Sequence, residues 1–215
     1  MTSFTDNKAT VAAEENNQAC LEASWQALLP SACDWCPRRC GANRAAGEKG
    51  FCGADSTMRV ARAALHFWEE PPLSGEAGSG AVFFSGCPLR CCFCQNAAIA
   101  ADQVGKEISP ERLEQIFFEL RDQGALNINL VTPTHYAPLI APAAIHACRS
   151  GFDLPFVWNT SGYETVEALH AIAPVADVFL ADFKYAHSEL ARKFSRAVDY
   201  PAVALDALDA MVEIT

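Results

Sequence analysis

Residues 81 to 96 read AVFFSGCPLRCCFCQN, and this stretch decides how the chain is expected to fold. Its first four residues, Ala81 to Phe84, are small, β-branched or aromatic, which is typical of a short buried strand. Ser85 and Gly86 end the apolar run, and four cysteines follow within the next eight residues. The sequence therefore predicts a buried strand whose carboxyl end leads directly into a cysteine-rich loop.

Strand and helix signals alternate after this loop. Ser109 and Pro110 begin a helical pattern that Gly124 ends, and further strand and helix pairs follow it. The predicted units are strand 81–84 with helix 109–124, strand 127–131 with a helix through Cys148, strand 156–159 with helix 163–171, and strand 178–181 with helix 188–197. This order predicts the α/β class, with parallel strands and ligand-binding residues at their carboxyl ends. Four units cannot close a barrel, so we expect a partial (β/α) barrel.

The chain before the barrel is predicted to have two parts. Residues 1–20 carry few apolar side chains and are predicted to be a disordered tail. Residues 21–75 form a cysteine-rich segment, and the partial barrel occupies residues 76–215. Within the segment, CDWCPRRCGANRAAGEKGFCGA at 33–54 is poor in aliphatic residues, so a hydrophobic core alone cannot hold it together.

Four cysteines of this segment have the spacing of a metal site. Cys33, Cys36, Cys40 and Cys52 form C-x2-C-x3-C-x11-C, which provides enough thiolates for a closed four-ligand site. Zinc and a second iron-sulfur cluster both fit this spacing, and unligated cysteines are the alternative.

The composition narrows the class of protein. The 215 residues are 51% hydrophobic and 20% charged, which is enough to bury a globular core. A net charge of -10 and a pI near 4.9 disfavour binding to nucleic acid or to an anionic membrane surface. The N-terminus has no apolar leader, and no stretch reaches the roughly 18 apolar residues of a membrane span, so we expect a cytoplasmic protein. Because the cytoplasm is reducing, ten cysteines indicate metal or cluster ligation rather than disulfides.

The cysteine loop after the first strand has the donor set of a catalytic cluster. Cys87, Cys91 and Cys94 are spaced C-x3-C-x2-C. Three thiolates suit a four-iron cluster in which one iron has no protein ligand, and an open metal position is typical of a catalytic site. The alternative is a zinc site completed by Cys92 or another residue.

This loop resembles the signature of the radical S-adenosylmethionine (SAM) superfamily, C-x3-C-x-aromatic-C, at Cys87, Cys91, Phe93 and Cys94. The resemblance implies that the three cysteines hold a 4Fe-4S cluster whose open iron chelates SAM, and that Phe93 lies beside the adenine. Cys92 is then a spacer. The implied enzyme is a radical SAM oxidoreductase that cleaves SAM reductively to a 5'-deoxyadenosyl radical, which abstracts hydrogen from a substrate.

Five blocks extend the resemblance to uncharacterised members of the pyruvate formate-lyase activating enzyme-like branch. They are CDWCPRRCGANRAAGEKGFCGA, SGCPLRCCFCQN, NLVTPTHYAP, WNTSGYE and VFLADFKY, between Cys33 and Tyr185. The branch implies an electron donor such as flavodoxin or ferredoxin and a glycyl radical enzyme as partner. Related enzymes continue for further strands, so the chain resembles a C-terminally truncated member. A non-catalytic iron-sulfur or zinc-binding protein is the alternative function.

The same resemblance places polar residues around SAM. Thr134 and His135 follow the second strand, where related enzymes carry a Gly-Gly-Glu-type motif, and they are predicted SAM contacts. Capping of the loop is the alternative role of His135. The resemblance adds Asn159, Ser161, Asp182 and Lys184, which lie at the ends of the third and fourth strands. For Asp182 and Lys184 the alternative is an ion pair with each other.

Overall fold

The computed structural model of the protein describes residues 29–102 and 104–215. The predicted tail at 1–20 lies outside these residues. The strands are β1 (Met58–His66), β2 (Ser79–Phe84), β3 (Lys106–Ile108), β4 (Ile128–Val131), β5 (Phe156–Thr160) and β6 (Val178–Ala181). The helices are α1 (Pro71–Ser74), α2 (Ala97–Asp102), α3 (Pro110–Asp122), α4 (Ala137–Arg149), α5 (Val166–Ile172), α6 (Ser188–Ser195) and α7 (Tyr200–Ile214). Two short 3-10 turns span Arg44–Ala46 and Thr134–Tyr136.

In the described part of the chain the strands form one six-stranded sheet in the order β3-β1-β2-β4-β5-β6. The four strands from β2 to β6 in this order are parallel, whereas β1 is antiparallel to both β2 and β3. The predicted α/β fold, with parallel strands of a partial barrel behind a cysteine-rich segment, is confirmed. The two antiparallel strands were not predicted.

The helices cover one face of the sheet. The Ser109 side chain caps α3 by accepting a hydrogen bond from the Arg112 N–H at 3.2 Å, and Pro110 fits the first turn because it needs no N–H partner there. The buried residues of α3 are Leu113, Ile116, Phe117 and Leu120, and they belong to one core with Val82, Phe84, Ile128, Leu130, Phe156 and Trp158 of the sheet. Alternate strand residues therefore bind the helix layer to the sheet.

The other face of the sheet is more open. Phe83, Val131, Asn159 and Leu180 are register partners across the four parallel strands, and each is partly exposed. The same strands end at one edge, where their next residues are Ser85, Thr132, Ser161 and Asp182. The fold therefore brings the cysteine loop and the predicted SAM contacts to a common edge, as expected for parallel strands.

Candidate active site

The cysteine loop connects β2 to α2 and is folded back on itself. Arg90 has a φ of 50°, and its backbone N–H points at the Sγ of Cys87 at 3.5 Å. Four residues further on, the Cys94 N–H donates to the Cys91 carbonyl oxygen at 3.2 Å. These two turns bring Cys87, Cys91 and Cys94 into one part of the loop, and all three are half-buried.

Cys92 differs from these three cysteines. Its side chain is exposed, and its N–H donates to the carbonyl oxygen of Phe194 in α6 at 2.8 Å. The residue therefore joins the loop to a neighbouring helix through its backbone. Its role as a spacer stays a prediction.

The environment of Cys87 favours its neutral thiol. Burial raises the pKa of Cys87 to about 11; the N–H groups of Arg90 and Leu89 oppose this rise, and charges on Cys91 and Cys94 add to it. Metal ligands are thiolates, so a bound cation would favour the ionised form of Cys87. The soft donor set fits an iron-sulfur cluster. Among the described residues no three His, Cys, Asp or Glu side chains already converge as ligands of a metal ion, so ligation requires the thiols to reorient.

Phe93 is well placed for the predicted contact with adenine. It is 58% exposed, although it lies in a loop beside the core. Its ring packs edge-on against Tyr185 and Phe194, with centroids 6.1 and 6.0 Å away. These contacts orient the ring while one side of it stays open to a ligand.

A buried carboxyl group that the sequence did not single out lies between β4 and β5. Glu164 is 2% exposed, and its Oε1 accepts hydrogen bonds from the hydroxyls of Thr134 and Thr160, both at 2.5 Å. Burial raises the pKa of Glu164 to about 7, and the hydrogen bonds from Thr134 and Thr160 oppose this rise. The predicted SAM contact Thr134 is therefore bonded to a carboxyl group that titrates near neutral pH.

His135 is buried beside the start of the cysteine loop. Its Nε2 lies 2.7 Å from the carbonyl oxygen of Ser85, so this nitrogen carries the proton and donates it. Burial lowers the pKa of His135 to about 3; the bond to Ser85 opposes this shift, and the charge of Arg44 adds to it. The ring is therefore neutral, and its Nδ1 has no partner in the described structure. Contact of Thr134 and His135 with SAM stays a prediction.

Tyr200, at the start of α7, joins the ends of β5 and β6. Its hydroxyl lies 2.7 Å from the Ser161 carbonyl oxygen and 3.0 Å from that of Asp182, and it accepts the Lys184 N–H at 2.8 Å. The side chains of Asp182 and Lys184 form an ion pair at 2.7 Å, which is the alternative that the sequence left open. The Asp182 side chain is 68% exposed, so the pair can also meet a ligand. Asn159 lies on the open face of the sheet and is half-buried.

A second carboxyl group that the sequence did not indicate belongs to Glu69, in the segment after β1. It accepts a hydrogen bond at 2.5 Å from the Nδ2 of Asn129, which is buried in β4. Burial raises the pKa of Glu69 to about 7, and the hydrogen bond and charge of the neighbouring Glu70 add to the rise. A buried amide of the sheet thus has a carboxyl group from outside the sheet as its partner.

Two arginines of the cysteine-rich segment bind this edge of the sheet. Arg38 donates to the carbonyl oxygens of Pro88 at 2.8 Å, Ser195 at 2.6 Å and Arg196 at 2.5 Å. Arg44 is 0% exposed and donates to the carbonyl oxygens of Asp55 and His135. The segment therefore covers the region where the cysteine loop, β4 and α6 meet.

Comparison with known proteins identifies relatives. Residues 81–214 match the sequence model of the radical SAM superfamily. A protein of Methanocaldococcus jannaschii, whose printed name is that of an uncharacterized protein, is 32% identical over 177 residues, which is 78% of this chain and 50% of the relative. The chain thus spans about half the length of the curated relative that it matches. Within the described residues no helix is long and apolar enough to cross a membrane.

Proposed function

Because the chain belongs to the radical SAM superfamily, we propose that it binds SAM at a 4Fe-4S cluster held by Cys87, Cys91 and Cys94 and cleaves it to a 5'-deoxyadenosyl radical. The observation that carries this proposal is the pair of turns that brings these three cysteines into one loop, at the carboxyl end of a parallel strand. The cluster, when bound, supplies the electron for cleavage of the sulfonium. The remaining work of the chain is to bind and orient SAM.

The residues proposed to bind SAM lie at the ends of the parallel strands. Phe93 offers an exposed ring for the adenine, held by Tyr185 and Phe194. The other proposed contacts are Thr134, His135, Asn159, Ser161, Asp182 and Lys184. Asp182 and Lys184 present an acceptor and a donor side by side, which suits a ligand that carries hydroxyl, amino and carboxylate groups.

Two of the proposed contacts also act through their neighbours. Thr134 shares Glu164 with Thr160, so a single buried carboxyl group links the ends of β4 and β5. His135 binds Ser85, the residue at which β2 passes into the cysteine loop. These bonds keep the strand ends in a defined arrangement before SAM enters, which lowers the entropic cost of binding.

At a finer level, we propose an activating role of the pyruvate formate-lyase activating enzyme type. The support is the resemblance of five sequence blocks between Cys33 and Tyr185. The partner is then a glycyl radical enzyme, the reductant is a flavodoxin or ferredoxin, and the compartment is the cytoplasm. The proposed domain organisation is the one predicted from the sequence: a tail at 1–20, a cysteine-rich segment at 21–75 and a partial barrel at 76–215.

The test is electron paramagnetic resonance of the full chain, reconstituted anaerobically with iron and sulfide and then reduced. We expect a cubane signal that changes when SAM is added, together with formation of 5'-deoxyadenosine. Cys91→Ala is expected to abolish the signal and the product, whereas the matched variant Cys92→Ala is expected to keep both. Equal loss in both variants would refute the ligand assignment.

The second candidate is a non-catalytic iron-sulfur or zinc-binding protein. The observation that favours it is the position of β6 at the end of the strand order, with no strand beyond it among the described residues. A cluster signal that does not respond to SAM would support this function. Zinc in place of iron at Cys87, Cys91 and Cys94 would support it equally.

A further inference from the structure

We propose that Cys33, Cys36, Cys40 and Cys52 bind a second metal centre, enclosed by four thiolates and held against the catalytic edge of the sheet. The centre is a zinc ion or an iron-sulfur cluster, since both are bound by four cysteines. It is distinct from the site at Cys87, Cys91 and Cys94, and it does not depend on SAM chemistry.

The segment that carries these cysteines has little regular structure of its own. Residues 29–57 contain no helix or strand apart from the 3-10 turn at Arg44–Ala46. Three of its buried side chains are cysteines: Cys33, Cys36 and Cys52 are 6%, 7% and 5% exposed. A stretch of this length without regular structure or an apolar core of its own needs a cross-link or a metal to stay ordered.

Sulfurs of this group are close neighbours, although, as in the cysteine loop, no three of them already converge as metal ligands in the described structure. A Cβ placed on Gly50 would be 3.2 Å from the Sγ of Cys40 and 3.5 Å from the Sγ of Cys52, so these two sulfurs flank the same glycine. The Cys33 thiol lies within hydrogen-bonding reach of the Cys40 sulfur. Cys33 therefore lies close enough to join the group, and the absence of a side chain at Gly50 leaves room beside the sulfurs.

Backbone amides are directed at the sulfurs. The Arg38 N–H binds the sulfur of Cys36, and the Ala54 N–H binds that of Cys52. The Ala42 and Phe51 N–H groups are directed at the sulfur of Cys40. The Arg90 N–H likewise points at the sulfur of Cys87 in the cysteine loop, at 3.5 Å. N–H···S bonds of this kind stabilise thiolates and orient them toward a metal.

The turns of the backbone fit the same role. The Cys33 N–H donates to the Ala42 carbonyl oxygen at 3.0 Å, and the Gly41 N–H returns to the Cys33 carbonyl oxygen at 2.9 Å. This pair of bonds closes the loop that contains the first three cysteines. Gly53 makes a second turn by donating to the Gly50 carbonyl oxygen at 2.9 Å, and Cys52 lies within it. Each turn presents its cysteines from a short rigid loop, as metal sites require.

The proposed centre lies next to the cysteine loop. The Cys87 N–H lies 3.3 Å from the Cys52 carbonyl oxygen, so a ligand of one site is hydrogen-bonded to a ligand of the other. A Cβ on Gly86 would be 2.7 Å from the same oxygen, which shows how closely the two loops pack. Metal binding at the four cysteines would therefore fix the segment against which the cysteine loop packs.

The test uses the full chain with Cys91→Ala and Cys94→Ala, which removes the first cluster and leaves the four cysteines unchanged. After anaerobic purification and reconstitution, metal and sulfide are measured per chain. We expect either about one zinc, or about four irons with about four sulfides. The first result identifies a zinc site and the second an iron-sulfur cluster, and either supports the proposal.

Two further changes show which residues hold the metal. Adding Cys36→Ala and Cys40→Ala is expected to remove the remaining metal, whereas adding Cys148→Ala, an exposed cysteine of α4, is expected to leave it unchanged. Gly50→Val is expected to weaken metal retention against a chelator although every thiol is kept. The proposal would be overturned if the folded Cys91→Ala, Cys94→Ala chain held no stoichiometric metal, both as purified and after reconstitution. The function proposed above would survive this result, since it is tested by the response of the first cluster to SAM.

Discussion

His135 holds Ser85, the residue from which the cysteine loop departs, through a hydrogen bond of 2.7 Å from Nε2 to the Ser85 carbonyl oxygen. The next residue, Gly86, has a φ of 90°, and a Cβ there would lie 3.1 Å from the same nitrogen. Both the backbone conformation and the close approach of the ring therefore require glycine. The origin of the loop is thus set by a buried neutral donor that follows a different strand, β4.

Replacement of this donor is expected to loosen the loop. His135→Leu leaves the Ser85 carbonyl oxygen without its partner, which costs about 1–3 kcal/mol of unfolding free energy. Iron is also expected to leave the reconstituted protein faster in the presence of a chelator. His146→Leu is the control, because His146 is half-exposed and its bond to Glu114 lies at the surface. Unchanged iron release in a destabilised His135→Leu protein would show that the bond does not control the loop.

Glu164 and His135 are expected to give opposite pH dependences of stability. The pKa of Glu164 is raised from 4.5 to about 7, so its contribution is complete below pH 4.5 and is lost as pH rises through 7. The pKa of His135 is lowered from 6.5 to about 3, so its contribution is complete above pH 6.5 and is lost as pH falls toward 3. Between pH 4.5 and 6.5 the two effects oppose each other.

Glu164→Gln removes one of these effects and keeps an acceptor for the two threonines. Each group changes the unfolding free energy by about 1.4 kcal/mol per pH unit within its range. When the pH falls from 6.5 to 4.5, the variant is therefore expected to lose about 2–3 kcal/mol relative to the unaltered protein, because it lacks the stability that Glu164 gains over this range. Urea denaturation at several pH values measures this loss. Curves that stay parallel for the variant and the unaltered protein would contradict the raised pKa of Glu164.

Tyr200→Phe tests the connection between the ends of β5 and β6. The change removes one hydroxyl that bonds to Ser161, Asp182 and Lys184, and we expect a loss of about 1–3 kcal/mol in unfolding free energy. SAM binding is expected to weaken while cluster assembly is kept, because none of these residues belongs to the cysteine loop. Tyr163→Phe is the control, since its hydroxyl makes a single bond, to Asp199 at 2.8 Å. Equal SAM affinity in both variants would exclude this role of Tyr200.

Lys184→Met separates the ion pair from the ligand contact. Asp182 is largely exposed, so loss of the pair is expected to change the unfolding free energy by less than about 1 kcal/mol. If Lys184 contacts SAM, its loss weakens SAM binding by a clearly larger factor than it changes stability. Isothermal titration of the reconstituted protein measures the affinity. Unchanged affinity would leave the ion pair as the whole role of Lys184.

The four strand and helix units could be predicted because each parallel strand is a short apolar run bounded by turn residues. β1 was not predicted, since its sequence MRVARAALH mixes arginines with small residues and only two of its nine residues are buried. β3 has three residues and depends on β1 for its pairing. An antiparallel strand pair at the edge of a parallel sheet gives a weak sequence signal, because its stability comes from its neighbours.

The candidate site also contains residues that could be predicted from the sequence and residues that could not. The cysteine loop could be identified because its functional residues are adjacent in sequence, although its ligand assignment stays a prediction. Glu164 and Tyr200 could not be identified, since Glu164 meets Thr134 across 30 residues and Tyr200 meets Ser161 across 39. A carboxyl or phenol group in a turn is usually solvated, and only tertiary packing buries these two. The boundary at residue 75 also stays a prediction, although β1, before it, pairs with β2.

The guanidinium of Arg38 also bears on the order of events during synthesis. It binds Pro88 in the cysteine loop and Arg196 at the end of α6, and the latter partner follows it by 158 residues. At about 5–20 residues per second, a ribosome needs roughly 5–20 s to pass from the loop to α6. During this interval the cysteine loop has been synthesised, but the residues at the end of α6 that bind Arg38 have not. The cysteine loop of the nascent chain is therefore complete before the chain that Arg38 uses to anchor the cysteine-rich segment across it, Ser195 and Arg196, has been synthesised.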